Sequence, residues 1–418
     1  MSRIVSATIQ NQTVKVHFKG GQVTEFECIW LRDHCRCSTC YHSNTFQRAR
    51  HLLDLSDSNI KNIKSDTEHI SITWDDNHES IYKADFLVKF DYKTWVEKRR
   101  HIPKLWHGEE IAEKVVKVSA NDFFKSPKSA REVFQSLLDY GVALIVNVEP
   151  TMEATEKVCK ALGGVQHTMF GGMWLVHTDT KPTDTAYTNI HLAQHTDNTY
   201  FTEAAGLQIF HGLEHTDGTG GETILVDGFY GAKRLEKEFP DDYKFLTSFD
   251  IDAEFLDNEH HHRYSAPVIT INKMKDIKQI RIKRSEYLKN IQAPRTLKNW
   301  LCCRAVPHRA GLDNREQQMQ LGQTMKKNTF NSYDRTPMAF SSREECLAYY
   351  RALKNLARYY EEPSNQWQFK LTPGVVIAID NFRVLHGRTS FTGNRILCGS
   401  YVSRSDWLNK ARTLRLIE

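Results

Sequence analysis

Two patterns of hydrophobic and polar positions divide the chain. Residues 1 to about 95 contain segments in which apolar and polar residues alternate, such as TVKVHF and HISITW, separated by polar turns. A period of two is typical of half-buried strands. These residues therefore predict a small β-rich N-terminal domain. The segment WVEKRRHIPKLWHGEE breaks the alternation and predicts a connector over about 96–120.

After the connector the hydrophobic period becomes that of a helix. In SPKSAREVFQSLLDYG the apolar residues fall on one helical face, Ser126 can cap the start, Pro127 suits the first turn and Gly141 can end the helix. VALIVNV then predicts a buried strand, and a second helix is expected over about 151–163. Short β-like segments follow over much of the remaining chain. The larger domain, 121–418, is therefore expected to be mixed α+β, with a β-rich core and flanking helices.

The composition is that of a globular protein. Of the 418 residues, 40% are hydrophobic and 11% aromatic, and no stretch approaches the roughly 18 apolar residues of a membrane helix. The formal net charge of +5 has a local source, because residues 283–327 carry ten Lys and Arg against three Asp and Glu. The rest of the chain is therefore slightly acidic. Neither a nucleic acid nor a membrane is expected as a partner.

The N-terminal residues, MSRIVSATIQNQTVKVHF, alternate as a strand does. They show neither the hydrophobic core of a signal peptide nor an Arg- and Ser-rich amphipathic leader. This pattern favours a cytoplasmic location, where thiols are kept reduced. Of the nine cysteines, the N-terminal cluster of Cys28, Cys35, Cys37 and Cys40 is therefore expected to bind metal rather than to form disulfides.

Three cysteines near the N-terminus form one compact motif: Cys35, Cys37 and Cys40. Three thiolates so close in sequence can bind one ion, and a structural zinc site holds four nitrogen or sulfur ligands. The candidates for the fourth ligand are His34, His42 and His78. We favour His78, because a ligand from a later hairpin would tie two segments of a small domain together. The alternative is that the three cysteines pack as small apolar side chains.

The triplet His-Thr-Asp occurs three times, starting at His177, His195 and His215. The outer two copies run into turn-forming residues and are expected in surface turns. The middle copy follows β-branched and aromatic residues, which are typical of a strand. Side chains at positions i and i+2 of a strand share a face, so His195 and Asp197 can bind one ion.

The C-terminal region supplies a third ligand. GVVIAIDNFRVLHGRTSFTGNRILCGSYVSR predicts a strand, a tight connection that contains His386, and another strand. Two histidines and one carboxylate form the face of a non-haem Fe(II) oxygenase, which leaves positions for a chelating 2-oxoacid and O₂. Arg395 can grip the far carboxylate of such a co-substrate with two hydrogen bonds, and Thr223 can add a hydroxyl donor. We therefore predict an iron site formed by His195, Asp197 and His386.

These motifs resemble those of the 2-oxoglutarate-dependent oxygenases of carnitine biosynthesis, the trimethyllysine and γ-butyrobetaine dioxygenases. The resemblance rests on WLRDHCRCSTCY and ITWDDNHES, followed in order by TDTAYT, HTDNTYF, GGETILVDGFYGA and IDNFRVLHGRTSFTG. It implies a double-stranded β-helix, or jelly-roll, catalytic domain after a zinc-binding domain, with the iron, 2-oxoglutarate and zinc residues named above. It also implies ascorbate as the reductant of iron and a homodimer, and it makes the mitochondrial matrix a second candidate location.

The resemblance further implies a small substrate with a trimethylammonium group, which aromatic faces recognise because it cannot donate hydrogen bonds. Four residues match the aromatic cage of the family: Phe170, Trp174, Tyr187 and Tyr401. Phe170 stands where the family has a tyrosine, and any one of these rings could instead pack in the core. HTDNTYF and CGSYVSRSDWLNKARTL favour 3-hydroxylation of N6,N6,N6-trimethyllysine. The alternatives are γ-butyrobetaine hydroxylation to L-carnitine and a non-catalytic methyl-lysine-binding or zinc adaptor protein.

One segment has no counterpart in the motifs of the family. Residues 284–328 are basic and glutamine-rich with little periodicity, at a point where QIRIK would otherwise run almost directly into FNSYDRTP. We expect this segment to be an atypical, disordered surface insertion.

Overall fold

The computed structural model describes residues 2–55, 59–177, 188–257, 259–282 and 336–418. The chain divides into two compact units. One runs to His101 and includes the last two residues of the chain, and the other runs from Ile102 to Leu416. The predicted insertion at 284–328 lies outside the described residues.

In its described residues the first unit contains two three-stranded antiparallel sheets, β1-β2-β3 and β6-β7-β8, a short hairpin and three helices. In β2 and β7 every second residue is buried, as the period of two in the sequence predicts. The buried faces form one apolar core that includes Val14, Ile72 and Trp74. The elements are β1 Ile4–Gln10, β2 Thr13–Phe18, β3 Val23–Glu27, α1 Cys28–Asp33, β4 Tyr41–His42, β5 Gln47–Arg48, a 3₁₀ turn Leu52–Asp54, β6 Ile60–Ser65, β7 His69–Trp74, β8 Glu79–Lys83, α2 Ala84–Phe90 and α3 Tyr92–Arg99.

The second unit is built on a six-stranded sheet, in the order β11-β22-β13-β20-β10-β9, and a four-stranded sheet, in the order β12-β21-β14-β19. Among its described residues no helix is both long and apolar enough to cross a bilayer. The elements are a 3₁₀ turn Gly108–Glu110, α4 Ile111–Lys114, β9 Lys117–Ser119, α5 Ala120–Lys125, α6 Pro127–Tyr140, β10 Val142–Val146, α7 Met152–Leu162, β11 Met173–Val176, β12 Leu192–His195, β13 Leu207–Thr216, β14 Thr223–Asp227, α8 Gly228–Glu238, α9 Pro240–Ser248, β15 Asp250–Leu256, β16 His261–Pro267, β17 Ile269–Ile271, β18 Ile277–Ile280, α10 Arg343–Glu361, a 3₁₀ turn Pro363–Asn365, β19 Trp367–Phe369, β20 Val375–Asp380, β21 Val384–Arg388, β22 Asn394–Val402 and α11 Arg404–Thr413.

The helix that the sequence predicts after the connector is α6. Ser126 caps it by accepting a hydrogen bond from the backbone N of Ser129 at 3.3 Å, and Gly141 ends it with a φ of 77°. This left-handed conformation suits glycine because a Cβ would be strained there. The predicted buried strand and second helix follow as β10 and α7, which is capped by Thr151. The sequence prediction of these three elements is confirmed.

Successive strands pass from one large sheet to the other from β11 to β14 and again from β19 to β22, while β14 and β19 both belong to the four-stranded sheet. β12 and β14 belong to the four-stranded sheet and β13 to the six-stranded sheet, and the strands from β19 to β22 alternate in the same way. Residues of both sheets line one cavity, so this cavity lies between the sheets. The alternation brings residues that are far apart in sequence to the same cavity.

A buried ion pair fixes the ends of two strands that contribute other residues to the wall of this cavity. Arg383, which precedes β21, is 1% exposed, and Asp227, which ends β14, is fully buried. Arg383 Nε donates to Oδ1 of Asp227 at 3.0 Å and Nη2 donates to Oδ2 at 2.8 Å. Arg383 Nη1 also donates to the carbonyl oxygen of Asp139 in α6 at 2.7 Å. The pair therefore ties both strand ends to α6.

His386 does not lie in a tight connection, as the sequence pattern predicted, but within β21. β21 pairs with β14 on one side and with β12 on the other. The prediction was wrong, because residues Val384–Arg388 form a strand of their own. In the structure an added Cβ at Gly387 would lie 2.5 Å from the carbonyl oxygen of Leu192, so this glycine allows β12 to approach closely.

The third His-Thr-Asp triplet was also misplaced. His215 and Thr216 still belong to β13, where His215 is paired with Arg395 of β22, and only Asp217, with a φ of 54°, leaves the strand. Because it pairs with β22, β13 continues to Thr216 and ends just before the GTGG sequence. For the first triplet, His177 follows β11, and its Thr and Asp lie outside the described residues.

Candidate active site and metal centre

Two histidines and one carboxylate converge in the cavity between the sheets. His195 ends β12 and is paired directly with His386 of β21. His195 Nε2 lies 3.2 Å from Oδ1 of Asp197, and His386 Nε2 lies 3.7 Å from Oδ2 of Asp197. Metal bonds of about 2.1 Å at right angles separate neighbouring ligand atoms by about 3.0 Å. One ligand atom from each of the three residues lies within 4.8 Å of the other two, so the three side chains could hold one metal ion.

Asp197 reaches this position from beyond the end of β12, and not from a strand as the sequence pattern predicted. Its backbone is held by the side chain of Asn381, which is 1% exposed. The N–H of Asp197 donates to Asn381 Oδ1 at 2.8 Å, and Asn381 Nδ2 donates to the carbonyl oxygen of Asp197 at 3.0 Å. The side chain of Asn381 thus makes the two backbone hydrogen bonds that a neighbouring strand would make if β12 continued beyond His195.

The carboxylate of Asp197 has a further partner on β22. The hydroxyl of Tyr401 donates to Asp197 Oδ2 at 3.0 Å. Burial, and then the negative charge of Asp197, raise the pKa of the Tyr401 hydroxyl well above its ordinary value. The hydroxyl therefore keeps its proton and acts as the donor.

The same cavity contains a buried cation. Arg395 is 6% exposed, and its guanidinium carbon lies 5.3 Å from the centre of the Phe391 ring. Within the described parts of the chain, no carboxylate lies at salt-bridge distance from it. Burial lowers the pKa of Arg395 to about 10, so the guanidinium is still charged at neutral pH. A buried charge without an opposite charge is costly, and an anionic ligand in the cavity would offset that cost.

Other predicted residues line this cavity as well. Thr223, at the start of β14, is 6% exposed and turns its side chain towards the site. Phe170, Trp174 and Tyr401 also contribute to the wall, and the rings of Trp174 and Tyr401 are 6.0 Å apart, centre to centre. Tyr187 lies outside the described residues. The structure therefore brings three of the four predicted cage residues together.

Gly399 makes room for the indole of Trp174. It lies opposite Trp174 in the pairing of β11 with β22. A Cβ added at Gly399 would approach Cη2 of Trp174 to 2.1 Å and the carbonyl oxygen of Ile209 to 2.4 Å. No side chain larger than hydrogen fits there unless the indole or the neighbouring strand moves.

The sequence interpretation missed four residues of the site: Gln208, Phe210, Asn381 and Arg388. Gln208 is fully buried in the wall of the cavity, and neither atom of its amide has a hydrogen-bond partner among the described residues. The amide of Gln208 within the apolar run LQIF was a sequence signal for a site residue, because a polar side chain in a buried strand usually has a partner or a function. Asn381 had no such signal, since its role depends on contacts between residues far apart in sequence.

A second cluster of donors lies in the first unit. The predicted zinc residues converge, with His78 Nε2 at 3.4 Å from Sγ of Cys35, 3.8 Å from Cys37 and 3.7 Å from Cys40. Zinc bonds of about 2.3 Å to sulfur and 2.0–2.1 Å to nitrogen separate such atoms by about 3.6 Å in a tetrahedron. The four residues therefore fit a closed tetrahedral zinc site. Neither of the other candidates, His34 and His42, belongs to this cluster.

Arg32 lies next to the zinc-ligand cluster and contacts Cys40 and Asp76. It is 2% exposed, its Nη2 donates to Asp76 Oδ2 at 2.9 Å, and its Nη1 lies 3.7 Å from Sγ of Cys40. A buried cation beside Cys40 would offset part of the negative charge that the cysteines carry when they bind zinc. Asp76 Oδ1 also accepts the backbone N–H of His78 at 2.9 Å, so Cys40 and His78, from separate segments, are held by the same group of contacts.

Comparison with known proteins identifies the family. Residues 107–401 match the family model described as taurine catabolism dioxygenase TauD, TfdA family, and residues 5–88 match the gamma-butyrobetaine hydroxylase-like N-terminal model. The human trimethyllysine dioxygenase is 33% identical over 98% of this chain and 88% of its own length. The mouse enzyme is 34% identical over 95% of this chain and 84% of its own length. The chain belongs to the trimethyllysine dioxygenases of the TauD, TfdA family.

Membership of this family confirms the resemblance found in the motifs, and with it the prediction that the protein is a dioxygenase with a mixed α and β fold. Human gamma-butyrobetaine dioxygenase is more distant, at 26% identity over 93% of this chain and 91% of its own length. The vertebrate trimethyllysine dioxygenases in the comparison carry the word mitochondrial in their names. The identity extends over both units of the chain.

Proposed function

We propose that this protein is an Fe(II)- and 2-oxoglutarate-dependent dioxygenase that hydroxylates N6,N6,N6-trimethyllysine to 3-hydroxy-N6,N6,N6-trimethyllysine, a step of carnitine biosynthesis. The observation that carries the proposal is the convergence of His195, Asp197 and His386 beside a buried arginine that has no carboxylate partner in the described residues. The similarity to enzymes named trimethyllysine dioxygenase supports the choice of substrate.

His195, Asp197 and His386 are the proposed iron ligands. Bound Fe(II) would supply the redox chemistry that couples O₂ and 2-oxoglutarate to the oxidation of a C–H bond. Both histidines stand on paired strands, and Asn381 fixes the backbone of Asp197, so the three donor atoms are in position before any ligand arrives. Such preorganisation avoids the entropic cost of gathering the donors at each turnover.

Arg395 and Thr223 are the proposed anchors of 2-oxoglutarate. The guanidinium offers parallel donors that match a carboxylate, and the burial of Arg395 leaves little water to compete for these donors. Arg388, also 6% exposed, lies in the same wall. The positive charge at this end favours a dicarboxylate co-substrate over neutral molecules of the same size.

Phe170, Trp174, Tyr187 and Tyr401 are the proposed cage for the trimethylammonium group. A quaternary ammonium ion is attracted to the negative face of each ring, which contributes about 0.5–2 kcal/mol per ring depending on exposure. Holding the cation at one end of the cavity and the iron ligands at another fixes the distance from the charge to the carbon that reacts. The position of hydroxylation then follows from the geometry of the cavity.

The architecture around the site forms a further part of the proposal. The alternation of strands between the two large sheets supports a double-stranded β-helix. Cys35, Cys37, Cys40 and His78 are proposed to bind a structural zinc ion that stabilises the first unit. Ascorbate as reductant, a homodimer and the compartment stay predictions, with the mitochondrial matrix supported by the names of the relatives.

The proposal is tested by incubating the full-length protein with Fe(II), 2-oxoglutarate and ascorbate, together with either trimethyllysine or γ-butyrobetaine. We expect succinate and 3-hydroxytrimethyllysine with trimethyllysine, and much slower turnover with γ-butyrobetaine. Faster hydroxylation of γ-butyrobetaine would reassign the substrate. The His195→Ala variant should lose all turnover and retain its zinc; if it turned over at the rate of the wild type, the assignment of the iron site would be wrong.

A further inference from the structure

We propose that Tyr401 has two roles in one side chain: its ring forms part of the trimethylammonium cage, and its hydroxyl orients the carboxylate of Asp197 on the metal. This inference rests on the proposed function, because it assigns a second role to a residue of that site. It means that the recognition of the substrate cation and the geometry of the metal centre depend on one phenol.

Each oxygen of Asp197 lies near one of the two histidines. Oδ1 lies 3.2 Å from Nε2 of His195, and Oδ2, which lies 3.7 Å from Nε2 of His386, accepts the hydroxyl hydrogen of Tyr401 at 3.0 Å. A hydrogen bond from a group behind a metal ligand holds that ligand in the orientation that binds the ion. Tyr401 therefore opposes rotation of the carboxylate away from the two histidines.

Tyr401 is held in place without any ligand. Its backbone pairs with Gln208 of β13, and its carbonyl oxygen accepts a hydrogen bond from the N–H of Gln166 at 2.8 Å. The side chain is 6% exposed, and its ring lies 6.0 Å from that of Trp174. Its ring and its hydroxyl therefore cannot be moved separately, which is the physical basis for linking the two roles.

The hydrogen bond also affects the ring. A phenol that donates to a carboxylate carries more electron density than a free phenol, because hydrogen bonds in a low-dielectric site polarise their partners. A more negative ring face attracts a quaternary ammonium ion more strongly. Removing the hydroxyl should therefore weaken cation binding slightly and metal binding strongly, whereas removing a different cage ring should do the reverse.

Two variants separate these effects. Tyr401→Phe keeps the ring and removes the hydroxyl, and Trp174→Leu removes a ring and leaves the Tyr401 bond intact. The readout besides turnover is the affinity for Mn(II), measured on the zinc-loaded protein through the EPR signal of the free ion. We expect Tyr401→Phe to weaken Mn(II) binding by about 10- to 100-fold, as other changes behind metal ligands do, and to raise KM for trimethyllysine less than threefold.

For Trp174→Leu we expect the opposite division, with KM for trimethyllysine raised at least tenfold and Mn(II) affinity within twofold of the wild type. Equal Mn(II) affinities for Tyr401→Phe and the wild type would overturn the proposed second role. His195→Ala is the control for the metal site and should abolish Mn(II) binding. A wild-type protein that bound no Mn(II) and formed no succinate would instead contradict the proposed function, so the two failures are distinguishable.

Discussion

The side-chain amide of Asn381 bonds both backbone groups of Asp197. It accepts the N–H at 2.8 Å and donates to the carbonyl oxygen at 3.0 Å, and its Nδ2 also donates to the carbonyl oxygen of Ala205 at 3.0 Å. A strand neighbour would make the same two bonds to Asp197, but β12 has already ended at His195. Asn381 therefore sets the position of the acidic metal ligand without touching the metal site itself.

Replacing Asn381 by alanine should lower the affinity of the site for its metal. The backbone of Asp197 would lose both bonds, and groups behind metal ligands typically contribute about 10- to 100-fold in affinity or activity. We expect kcat/KM for trimethyllysine to fall by that factor, with a parallel loss of Mn(II) affinity in the EPR titration. The zinc content of the first unit should not change.

Asn365 provides the matched control. It is 4% exposed, and its Nδ2 donates to the carbonyl oxygen of Tyr359 at 2.8 Å, away from the cavity. Asn365→Ala should therefore lower stability to a similar extent and leave Mn(II) affinity unchanged. If both alanine variants affected the metal equally, the effect would be one of general stability and Asn381 would have no special role.

The position of Asn381 illustrates what the sequence could and could not predict. Local signals placed α6 correctly, because Ser126, Pro127 and Gly141 act within one or two turns of the helix. The alternation of apolar and polar residues predicted β2 and β7, because it too depends only on neighbouring residues. The hydrogen bonds between Asn381 and Asp197 join residues 184 positions apart, and no pattern of neighbouring residues encodes such a contact.

In the candidate site, too, the sequence predicted some features and not others. His195, Asp197 and His386 could be picked out because two histidines and a carboxylate are the donors that a ferrous site requires. The prediction of a tight connection around His386 failed, and a glycine such as Gly387 is compatible with either a turn or the close approach of a neighbouring strand. Only the pairing of β21 with β12 distinguishes the two.

Adding a methyl group at Gly399 should damage the cage. A Cβ there would overlap the indole of Trp174, at 2.1 Å from Cη2, so the ring must leave its position. Losing one cation–π contact of about 1–2 kcal/mol corresponds to a rise of roughly 5- to 30-fold in KM for trimethyllysine. We expect this rise in Gly399→Ala, together with a lower Tm, because the Cβ also meets the carbonyl oxygen of Ile209 at 2.4 Å.

Leu175→Ala is the control on the same strand. Leu175 neighbours Trp174 in β11 but is 41% exposed, so its truncation should leave the indole in place. KM within twofold of the wild type is expected for this variant. An unchanged KM in Gly399→Ala as well would mean that Trp174 does not contact the substrate.

Changing Cys37 to serine should remove the zinc ion from the first unit. Serine oxygen is a poor zinc ligand, and a site with three remaining donors binds far more weakly than a closed one with four. We expect the zinc content, measured by elemental analysis, to fall from one ion per chain to near zero. Cys346→Ser, at a half-buried cysteine outside the cluster, should retain one zinc ion. Full zinc occupancy in Cys37→Ser would contradict the proposed site.

Breaking the ion pair between Arg383 and Asp227 should strongly destabilise the second unit. Both side chains are almost fully buried, so Arg383→Met would leave a carboxylate in the core without its partner. Removing one member of such a pair costs about 3–5 kcal/mol. We expect this loss in the free energy of unfolding from urea titration.

The double variant Arg383→Met, Asp227→Leu should recover part of that stability, because it leaves no buried charge unpaired. The exposed pair of Arg263 and Asp252 serves for comparison, and Arg263→Met should cost less than about 1 kcal/mol. A loss as small as this in Arg383→Met would show that the buried pair is not a structural support of β14 and β21.

The buried histidine His211 should make the protein sensitive to acid. It is fully buried, its Nδ1 lies 2.7 Å from Oγ1 of Thr155, and its Nε2 has no partner in the described part of the chain. The hydroxyl of Thr155 donates to the carbonyl oxygen of Thr151 at 2.7 Å, so Nδ1–H of the neutral ring is the donor to Thr155. A second proton on Nε2 would therefore be buried without an acceptor.

Burial lowers the pKa of His211 to about 4 in the folded protein, whereas an unfolded histidine has a pKa of about 6.5. As the pH falls below 6.5 the unfolded chain takes up the proton first, so stability is present above this range and is lost down to about pH 4. Between pH 7 and pH 5 the loss from this one group should be about 2 kcal/mol. His211→Gln cannot take up this proton, and its free energy of unfolding in urea should fall by about 2 kcal/mol less over that interval than that of the wild type. All other titrating groups are common to both proteins, so parallel pH profiles would show that His211 is not the source of the acid sensitivity.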